Sequence, residues 1–215
     1  MNIAIVGATG FVGSKLLNEA VQRGHKVTAI TRSPQKLPVA PGIDPVGADV
    51  NDLNTLMTHF RDKDAVVHSY APARELGVAE KLEQQARATQ TIITALKAAG
   101  VKRLLAVGGA GSLYVAPGVR NMDQPDFPKA FEGGVKATLL IKEILLKEPE
   151  LDWTYLSPSH MLVPGERTGK FRLGLDDLLI GADGQSRISV EDYAVAMIDE
   201  LEHPRHTRKR FTVGY

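Results

Sequence analysis

Cysteine is absent from this chain of 215 residues, and its absence removes several kinds of chemistry. Without cysteine there are no disulfide bonds, no thiolate metal ligands and no thiol nucleophile, and the lack fits a reducing compartment. Long apolar runs are missing too, since no stretch approaches the roughly 18 consecutive apolar residues of a membrane-spanning helix. The start, MNIAIV, lacks the basic residues and apolar length of a signal peptide. We therefore expect a cytoplasmic protein without a membrane partner.

An excess of either charge is also missing. The chain has 26 basic and 25 acidic side chains, which gives a formal net charge of +1. No global field favours nucleic acid, so we expect no nucleic-acid partner, and any anion must be bound locally. The basic tail at residues 203–210 contains two histidines without acidic or cysteine companions at metal-ligand spacing. It predicts a solvated charge run, and we expect no metal site.

Short β-rich apolar runs alternate with stretches of helical periodicity, as in βαβ units that build a parallel sheet buried on both faces. The predicted strands cover residues 3–6, 26–31, 45–48, 64–68, 102–107, 152–157 and 210–213. The predicted helices cover residues 11–23, a stretch capped by Asn51 and ending at 60, and residues 79–99, 133–147 and 191–201. The pattern predicts an α/β doubly wound, mainly parallel sheet of about seven strands with helices on both faces. We expect one domain over residues 1–215, with a small C-terminal substrate lobe.

The run GATGFVG at residues 7–13 joins the first predicted strand to the first helix. At this place the pyrophosphate of a dinucleotide meets the N-terminus of a helix. Gly7 permits the sharp turn, Gly10 lets the phosphates approach the backbone, and Gly13 lets the helix pack closely. The spacing predicts a Rossmann-type domain. The cofactor-binding residues of this turn are Gly7, Thr9, Gly10, Phe11, Val12 and Gly13.

The residues after the second strand favour NADP(H) over NAD(H). A site for NAD usually has Asp or Glu there to accept a hydrogen bond from the ribose 2′-hydroxyl. This chain has Thr31, Arg32 and Ser33 instead. The fork of Arg32 suits a 2′-phosphate, to which Thr31 or Ser33 would add neutral hydrogen bonds. NAD(H) is the alternative cofactor, because an arginine in a loop is commonly just solvated.

Other strand ends are predicted to contact the cofactor as well. The residues concerned are Asp49, Val50, Ser69, Tyr70, Ala71, Pro158, Ser159 and His160. Asp49 would accept a hydrogen bond from the adenine amino group or, alternatively, cap a turn. Two long irregular segments, residues 108–131 and 159–190, begin beyond the carboxyl ends of strands, where ligands bind in open α/β sheets. We expect them to form an active-site loop and a lid.

Three further sequence runs indicate a particular family: WTYLSP at residues 153–158, PGERTGK at 164–170 and SRISVEDYA at 186–194. Together with the glycine turn they resemble the NADH-flavin reductase group of the atypical short-chain dehydrogenases/reductases. This group stands alongside NmrA-like proteins and flavin and biliverdin reductases, and the resemblance covers essentially the whole chain. It implies an NAD(P)H cofactor and hydride transfer to a flavin.

One departure concerns the Tyr-x-x-x-Lys pair, which supplies the proton in most short-chain dehydrogenases. Lys136 lies in the right helix, but the residue four positions before it is Glu132. Ser112 lies in the loop where the family usually has an active-site serine, and Tyr114 follows two residues later. The candidate catalytic residues are therefore Ser112, Tyr114 and Lys136, each with an ordinary loop or surface role as the alternative.

The missing tyrosine favours an acceptor that requires no protein acid. A flavin delocalises the charge it receives and takes its proton from water, so the protein mainly holds two flat rings together. We expect an NADPH-dependent reductase of a flavin or quinone-like small molecule, with FMN or FAD as a substrate rather than a bound group. Arg167, Lys170 and Arg172 would attract a flavin phosphate, and the chain would act as a monomer or homodimer. The alternatives are a non-catalytic NADP(H)-binding redox sensor, and a carbonyl or quinone reductase or epimerase with Tyr114 as the acid.

Overall fold

The computed structural model describes all 215 residues, in which strands and helices alternate. The strands are β1 (Asn2–Val6), β2 (Lys26–Thr31), β3 (Ile43–Gly47), β4 (Ala65–His68), β5 (Arg103–Val107), β6 (Tyr114–Ala116), β7 (Val119–Arg120), β8 (Asp152–Pro158), β9 (Met161–Val163), β10 (Arg172–Gly174), β11 (Arg187–Ser189) and β12 (Lys209–Gly214). The helices are α1 (Gly13–Gln22), α2 (Leu53–Phe60), α3 (Val78–Ala99), α4 (Glu132–Leu145) and α5 (Val190–Glu202).

Eight strands form one sheet in the order β10-β12-β8-β5-β4-β1-β2-β3. All neighbouring pairs are parallel except β10 and β12. The predicted Rossmann-type fold is thereby confirmed. The strand missing from the prediction is β10, which has only three residues inside the expected lid and gives no strand pattern of its own. It exists because its backbone pairs with β12 at the edge of the sheet.

Helices cover both faces of the sheet. One apolar core lies under α1 and α5, and the other lies under α2, α3 and α4. Strand β4 shows why its sequence is apolar throughout: Ala65 and Val67 face the first core, while Val66 faces the second. None of the five helices combines the length and the apolar character that crossing a membrane would require.

Glycine, serine and aspartate residues mark four of the helix ends. Gly24, two residues after the end of α1, and Gly100, directly after α3, adopt left-handed φ angles of 81° and 74°. Ser189 caps α5 by accepting a hydrogen bond from the backbone N–H of Asp192. The prediction for α2 is wrong by one residue, because its cap is Asp52, which accepts from Thr55, and not Asn51.

The strand order reverses between β1 and β4. From β1 the chain builds outward through β2 and β3, and it then returns to place β4 on the other side of β1. Val6 lies level with Ile30 of β2 and His68 of β4, so the three strands end together. A crevice therefore opens beyond their carboxyl ends, at the point where ligands bind in this class of sheet.

The two long segments beyond the sheet contain structure of their own. Residues 108–131 hold the β6–β7 hairpin, and residues 159–190 hold β9, β10, β11 and the first residue of α5. The backbone of Tyr114 joins them, because its N–H donates to the carbonyl of Asp176 at 2.9 Å and its carbonyl accepts from Leu178 at 2.8 Å. Backbone hydrogen bonds thus connect the expected active-site loop to the expected lid.

Candidate functional site

A groove of about 700 Å³ occupies the crevice at the carboxyl ends of the strands. Its walls come from the turns after β1, β2, β3, β4 and β5, from α3 and α4, and from β9. The predicted cofactor residues that line it are Thr9, Gly10, Phe11, Val12, Gly7, Thr31, Arg32, Ser33, Asp49, Val50, Ser69, Tyr70 and Ala71. The groove therefore coincides with the dinucleotide site predicted from the sequence.

The three glycines of the turn have three different structural reasons. Gly7 has a φ of +87°, and a Cβ there would lie 2.6 Å from the carbonyl oxygen of Ser69. A Cβ on Gly13 would lie 2.1 Å from the carbonyl oxygen of Gly7, so α1 can approach the turn only with glycine at that position. Gly10 has looser surroundings and lines the groove. Gly7 and Gly13 are thus required by the backbone of the turn itself, whereas Gly10 leaves space for a ligand in the groove.

The N-terminus of α1 is free to bind an anion. The helix has no side-chain cap, and the N–H groups of Phe11 and Val12 donate to no other group of the protein. Unpaired N–H groups at a helix start carry partial positive charge and suit a phosphate. Because both residues line the groove, the donors fit the pyrophosphate of a dinucleotide.

Four basic side chains line the groove: Arg32, Lys36, Arg74 and Arg87. None of them forms an ion pair, whereas most of the other arginines do. The acidic side chains that line it are Asp49 and Glu83. The groove is therefore locally basic in a chain whose net charge is +1, which answers the requirement that an anion be bound locally.

Arg32 and Asp49 meet Tyr70 at one end of the groove. Burial raises the pKa of the Tyr70 hydroxyl, while the nearby Arg32 lowers this pKa and Asp49 raises it. Asp49 accepts hydrogen bonds from the backbone N–H and the amide nitrogen of Asn51, at 2.8 and 3.0 Å. Asp49 thus caps a turn, and because it also lines the groove its hydrogen bond to the adenine stays a prediction.

Thr31 has a structural role that differs from its predicted one. Its buried hydroxyl lies 2.7 Å from the hydroxyl of Thr9 and accepts from the backbone N–H of Ser33 at 3.2 Å. These bonds hold the turns after β1 and β2 together. Ser33 is thus left as the neutral partner of Arg32 for a 2′-phosphate.

The opposite end of the groove is nearly apolar. Val107 and Gly108 end β5, Thr138 projects from α4, and Leu162 comes from β9. Tyr155 lies beneath them, fully buried, and its hydroxyl donates to the carbonyl of Thr138 at 2.9 Å and accepts from Gly109 N–H at 3.1 Å. Burial raises the pKa of Tyr155 to about 12, so this hydroxyl keeps its proton. No side chain that lines this end titrates near neutral pH.

The three candidate catalytic residues do not line the groove. Ser112 is buried, and Arg210 donates to both its carbonyl and its hydroxyl oxygen. Tyr114 is 38% exposed on β6. Lys136 pairs with Glu132 at 2.5 Å on the surface of α4. Their expected catalytic role has no support in these positions, because neighbours bind the Ser112 and Lys136 side chains and the Tyr114 backbone outside the groove lining.

The residues after β8 also lie outside the lining. Ser159 is buried and donates to the carbonyl of Val213 at 2.9 Å, and His160 lies 3.0 Å from the side-chain amide of Asn121. Pro158 is buried as the last residue of β8. From this stretch of chain the groove receives Leu162 instead. The register of β9 with β11, which no local pattern reveals, places it there.

Two of the three cations expected to attract a flavin phosphate bind other groups of the protein. Arg167 forms two hydrogen bonds with Glu19 of α1, at 2.6 and 2.7 Å. Arg172 donates to the carbonyl oxygens of Ile180 and Tyr215. Neither lines the groove, and neither does Lys170. The side chains of Arg167 and Arg172 anchor the segment after β9 to the body of the protein.

The comparisons with known proteins agree with this geometry. Residues 7–204 match the model of a family described as NAD(P)H-binding. The chain belongs to this NAD(P)H-binding family. The glycine turn lies at the start of the match, so the family assignment and the groove point to the same nicotinamide cofactor. The predicted resemblance to NAD(P)H-dependent reductases is confirmed at this level.

Relatives of this NAD(P)H-binding protein extend over its full length. The uncharacterized protein YwnB of Bacillus subtilis is 39% identical and covers 99% of this chain and 98% of its own. The crystal structure of a "putative epimerase" from Bacteroides thetaiotaomicron matches with a TM-score of 0.91 and 45% identity, over 100% of this chain and 96% of its own. A "putative NADH-flavin reductase" from Streptococcus pneumoniae matches with a TM-score of 0.87 and 32% identity, over 100% and 99%.

Several groove residues of this family member escaped the sequence analysis: Lys36, Arg74, Glu83, Gln84, Arg87, Thr138 and Leu162. Lys36 follows Arg32 by four residues in the segment after β2. This spacing could have predicted that Lys36 lies near a 2′-phosphate. The sequence indicated the groove residues of α3 less clearly. Glu83, Gln84 and Arg87 share one face of that helix by their spacing, but nothing local shows which face meets the groove.

Proposed function

We propose that this protein is an NADPH-dependent reductase that transfers hydride to a flavin or a similar planar small molecule. A bound nicotinamide supplies the hydride. The observation that carries the proposal is the contrast between the two ends of one groove. One end has unpaired cations beside a helix N-terminus, and the other has no ionisable side chain.

The basic end supports NADPH over NADH. Arg32 and Lys36 both follow β2, where a ribose 2′-phosphate would lie, and neither has an acidic partner. No Asp or Glu occupies the end of β2 to accept a bond from a ribose 2′-hydroxyl. Two cations and the hydroxyl of Ser33 offer charge-assisted and neutral hydrogen bonds to a phosphate.

The other end supports an acceptor that requires no acid from the protein. Reduction of a carbonyl produces an alkoxide that a protein acid must protonate, and no such acid lines this end of the groove. A flavin or quinone spreads the charge over its rings and takes its proton from water. The protein then contributes by excluding water with Val107 and Leu162 and by holding the reactants in contact. Apolar walls of this kind suit a flat ring.

The test is NADPH oxidation with FMN, FAD, riboflavin, a quinone and a ketone, each against a blank without acceptor. Turnover with the flavins or the quinone, and none with the ketone, is the expected result. NADPH binding without turnover of any acceptor would instead identify a redox sensor, and ketone reduction would identify a carbonyl reductase. Size-exclusion chromatography in parallel tests the expected monomer or homodimer.

A further inference from the structure

Thr138 carries the only polar side chain among the four residues that line the reacting end of the groove. It lies in the second turn of α4, the helix in which Lys136 marks the place of the usual catalytic pair. Its neighbours in the lining are Val107, Gly108 and Leu162. Any side-chain hydrogen bond to a ligand at this end therefore has to involve Thr138.

The hydroxyl of Thr138 donates its proton within the protein, which leaves its oxygen free to accept. Its single proton is donated to the carbonyl oxygen of Val135, one helical turn back, at 2.9 Å. A threonine hydroxyl has one proton and two lone pairs, so the oxygen still accepts after its proton is committed. It consequently fits a ligand group that carries N–H.

The protein holds this hydroxyl in place from two sides. The carbonyl of Thr138 accepts from the buried hydroxyl of Tyr155 at 2.9 Å. A Cβ on Gly109 would lie 2.4 Å from the Thr138 Oγ1, and a Cβ on Gly108 would lie 2.5 Å from the ring of Tyr155. Because Gly108 and Gly109 have no side chains, Tyr155 and Thr138 can pack against the backbone after β5. This packing and the Tyr155 hydrogen bond fix the position of Thr138.

We infer that the Thr138 hydroxyl accepts a hydrogen bond from the carboxamide NH₂ of the nicotinamide, and so fixes which face of the ring meets the acceptor. The inference rests on the proposed function, because it requires the nicotinamide to lie at this end of the groove. Within the dinucleotide, the carboxamide is the N–H donor attached to the reacting ring. Thr138 is then a positioning residue for hydride transfer.

The experiment compares NADP⁺ with its acetylpyridine analogue, in which a methyl group replaces the carboxamide NH₂. Dissociation constants are measured by calorimetry for the wild type and for T138V and T138S. The wild type should prefer NADP⁺ by about threefold to tenfold, the value of one neutral hydrogen bond. T138V should lose this preference, and T138S should keep it.

A matched control is T58V, since Thr58 of α2 also donates its hydroxyl to a helix carbonyl, that of Asn54 at 2.9 Å, but lies outside the groove. It should keep the preference. A folded T138V that still discriminates overturns the inference. The inference also fails if T138V loses affinity for NADP⁺ and for 2′-phospho-ADP-ribose equally. The second ligand lacks the nicotinamide, so an equal loss would mean that Thr138 has a purely structural role. If the wild type binds no NADP⁺, the proposed function fails as well.

Discussion

Arg210 donates hydrogen bonds from one guanidinium nitrogen to both the carbonyl and the hydroxyl oxygen of Ser112, at 2.7 and 3.0 Å. The side chain of Arg210 is only 2% exposed, and it also pairs with Asp176. A buried guanidinium requires all its protons to be matched, since an unpaired buried charge is costly. Ser112 therefore serves to solvate Arg210, and the contact joins β12, the loop after β5 and the segment after β10.

The first prediction concerns this contact. S112A removes one hydrogen bond to a buried charge, so the free energy of unfolding should fall by roughly 1 to 3 kcal/mol. Hydride transfer from NADPH should change by less than about threefold, because Ser112 does not line the groove. Urea denaturation and steady-state rates measure the two effects. A variant of normal stability with a rate more than tenfold lower would restore Ser112 as a catalytic residue.

The second prediction concerns cofactor choice at Arg32 and Lys36. Charge-assisted hydrogen bonds contribute roughly 1.5 to 3 kcal/mol, so R32A should weaken NADPH binding about tenfold to a hundredfold and leave NADH nearly unchanged. K36A should act in the same direction. R74A and R87A are the controls, because these side chains come from the segment after β4 and from α3 and should affect both cofactors alike. Equal losses of both cofactors in R32A would remove the 2′-phosphate assignment.

Particular residues show how far the sequence determines the fold and the site. The glycine turn was predictable because its spacing encodes local geometry, and the φ of Gly7 and the tight packing of Gly13 bear this out. The burial of Ser112 was not, because its partner Arg210 lies 98 residues away. Strand β10 escaped for a similar reason, since its pairing with β12 exists only in the folded sheet. Local chemistry could be read from the chain, and long-range partners could not.

The third prediction separates two glycines of the same turn. G10V places a branched side chain where the phosphates would lie, but its Cβ would be 3.2 Å from the nearest backbone atom, so the fold should survive. NADPH binding should be lost. In G13A the new Cβ would lie 2.1 Å from the Gly7 carbonyl, and overpacking of this kind costs about 1 to 3 kcal/mol or more. Fluorescence titration and thermal melting test the pair, and a folded G10V with unchanged affinity would contradict the phosphate-binding role.

The fourth prediction concerns pH and His68. This side chain is fully buried against Thr89 and Gln85, and burial lowers its pKa from 6.5 to about 4. Between these values the unfolded chain binds a proton that the folded protein excludes. The stabilising contribution is therefore complete above pH 6.5 and is lost as the pH falls toward 4. The expected loss is on the order of 2 to 3 kcal/mol between pH 7 and pH 4.5.

The control for this effect is H68Q, a neutral side chain that does not titrate. The carboxylates whose pKa values are lowered by ion pairs, such as Glu19 and Glu202, weaken the fold only below their unfolded value of 4.5. The difference between the wild type and H68Q from pH 6.5 to 4.5 thus isolates the contribution of His68. Urea denaturation across that window should give a smaller slope of stability against pH for H68Q than for the wild type. Equal slopes would show that His68 does not titrate in this way.

The last prediction tests the acid-free mechanism at Tyr114. Tyr114 was the best hydroxyl donor that the sequence offered, but its side chain is 38% exposed and absent from the groove lining. Y114F keeps the ring and removes only the acid, so flavin reduction should fall by less than about threefold. If the acceptor is instead a carbonyl protonated by Tyr114, the loss should approach a hundredfold or more, as for a missing general acid.

The matched controls for Y114F are E132Q and K136A, which break the 2.5 Å ion pair on α4 where the usual catalytic pair would lie. Both side chains are about 40% exposed, so their removal should cost little stability and leave the rate unchanged. Steady-state rates with NADPH and a saturating flavin decide the matter, provided that the affinity for NADPH is measured on the same preparations. A collapse of the rate in Y114F alone, with cofactor affinity intact, would mean that the segment carrying β6 moves its hydroxyl to the reacting ring, and the reaction would then depend on a protein acid.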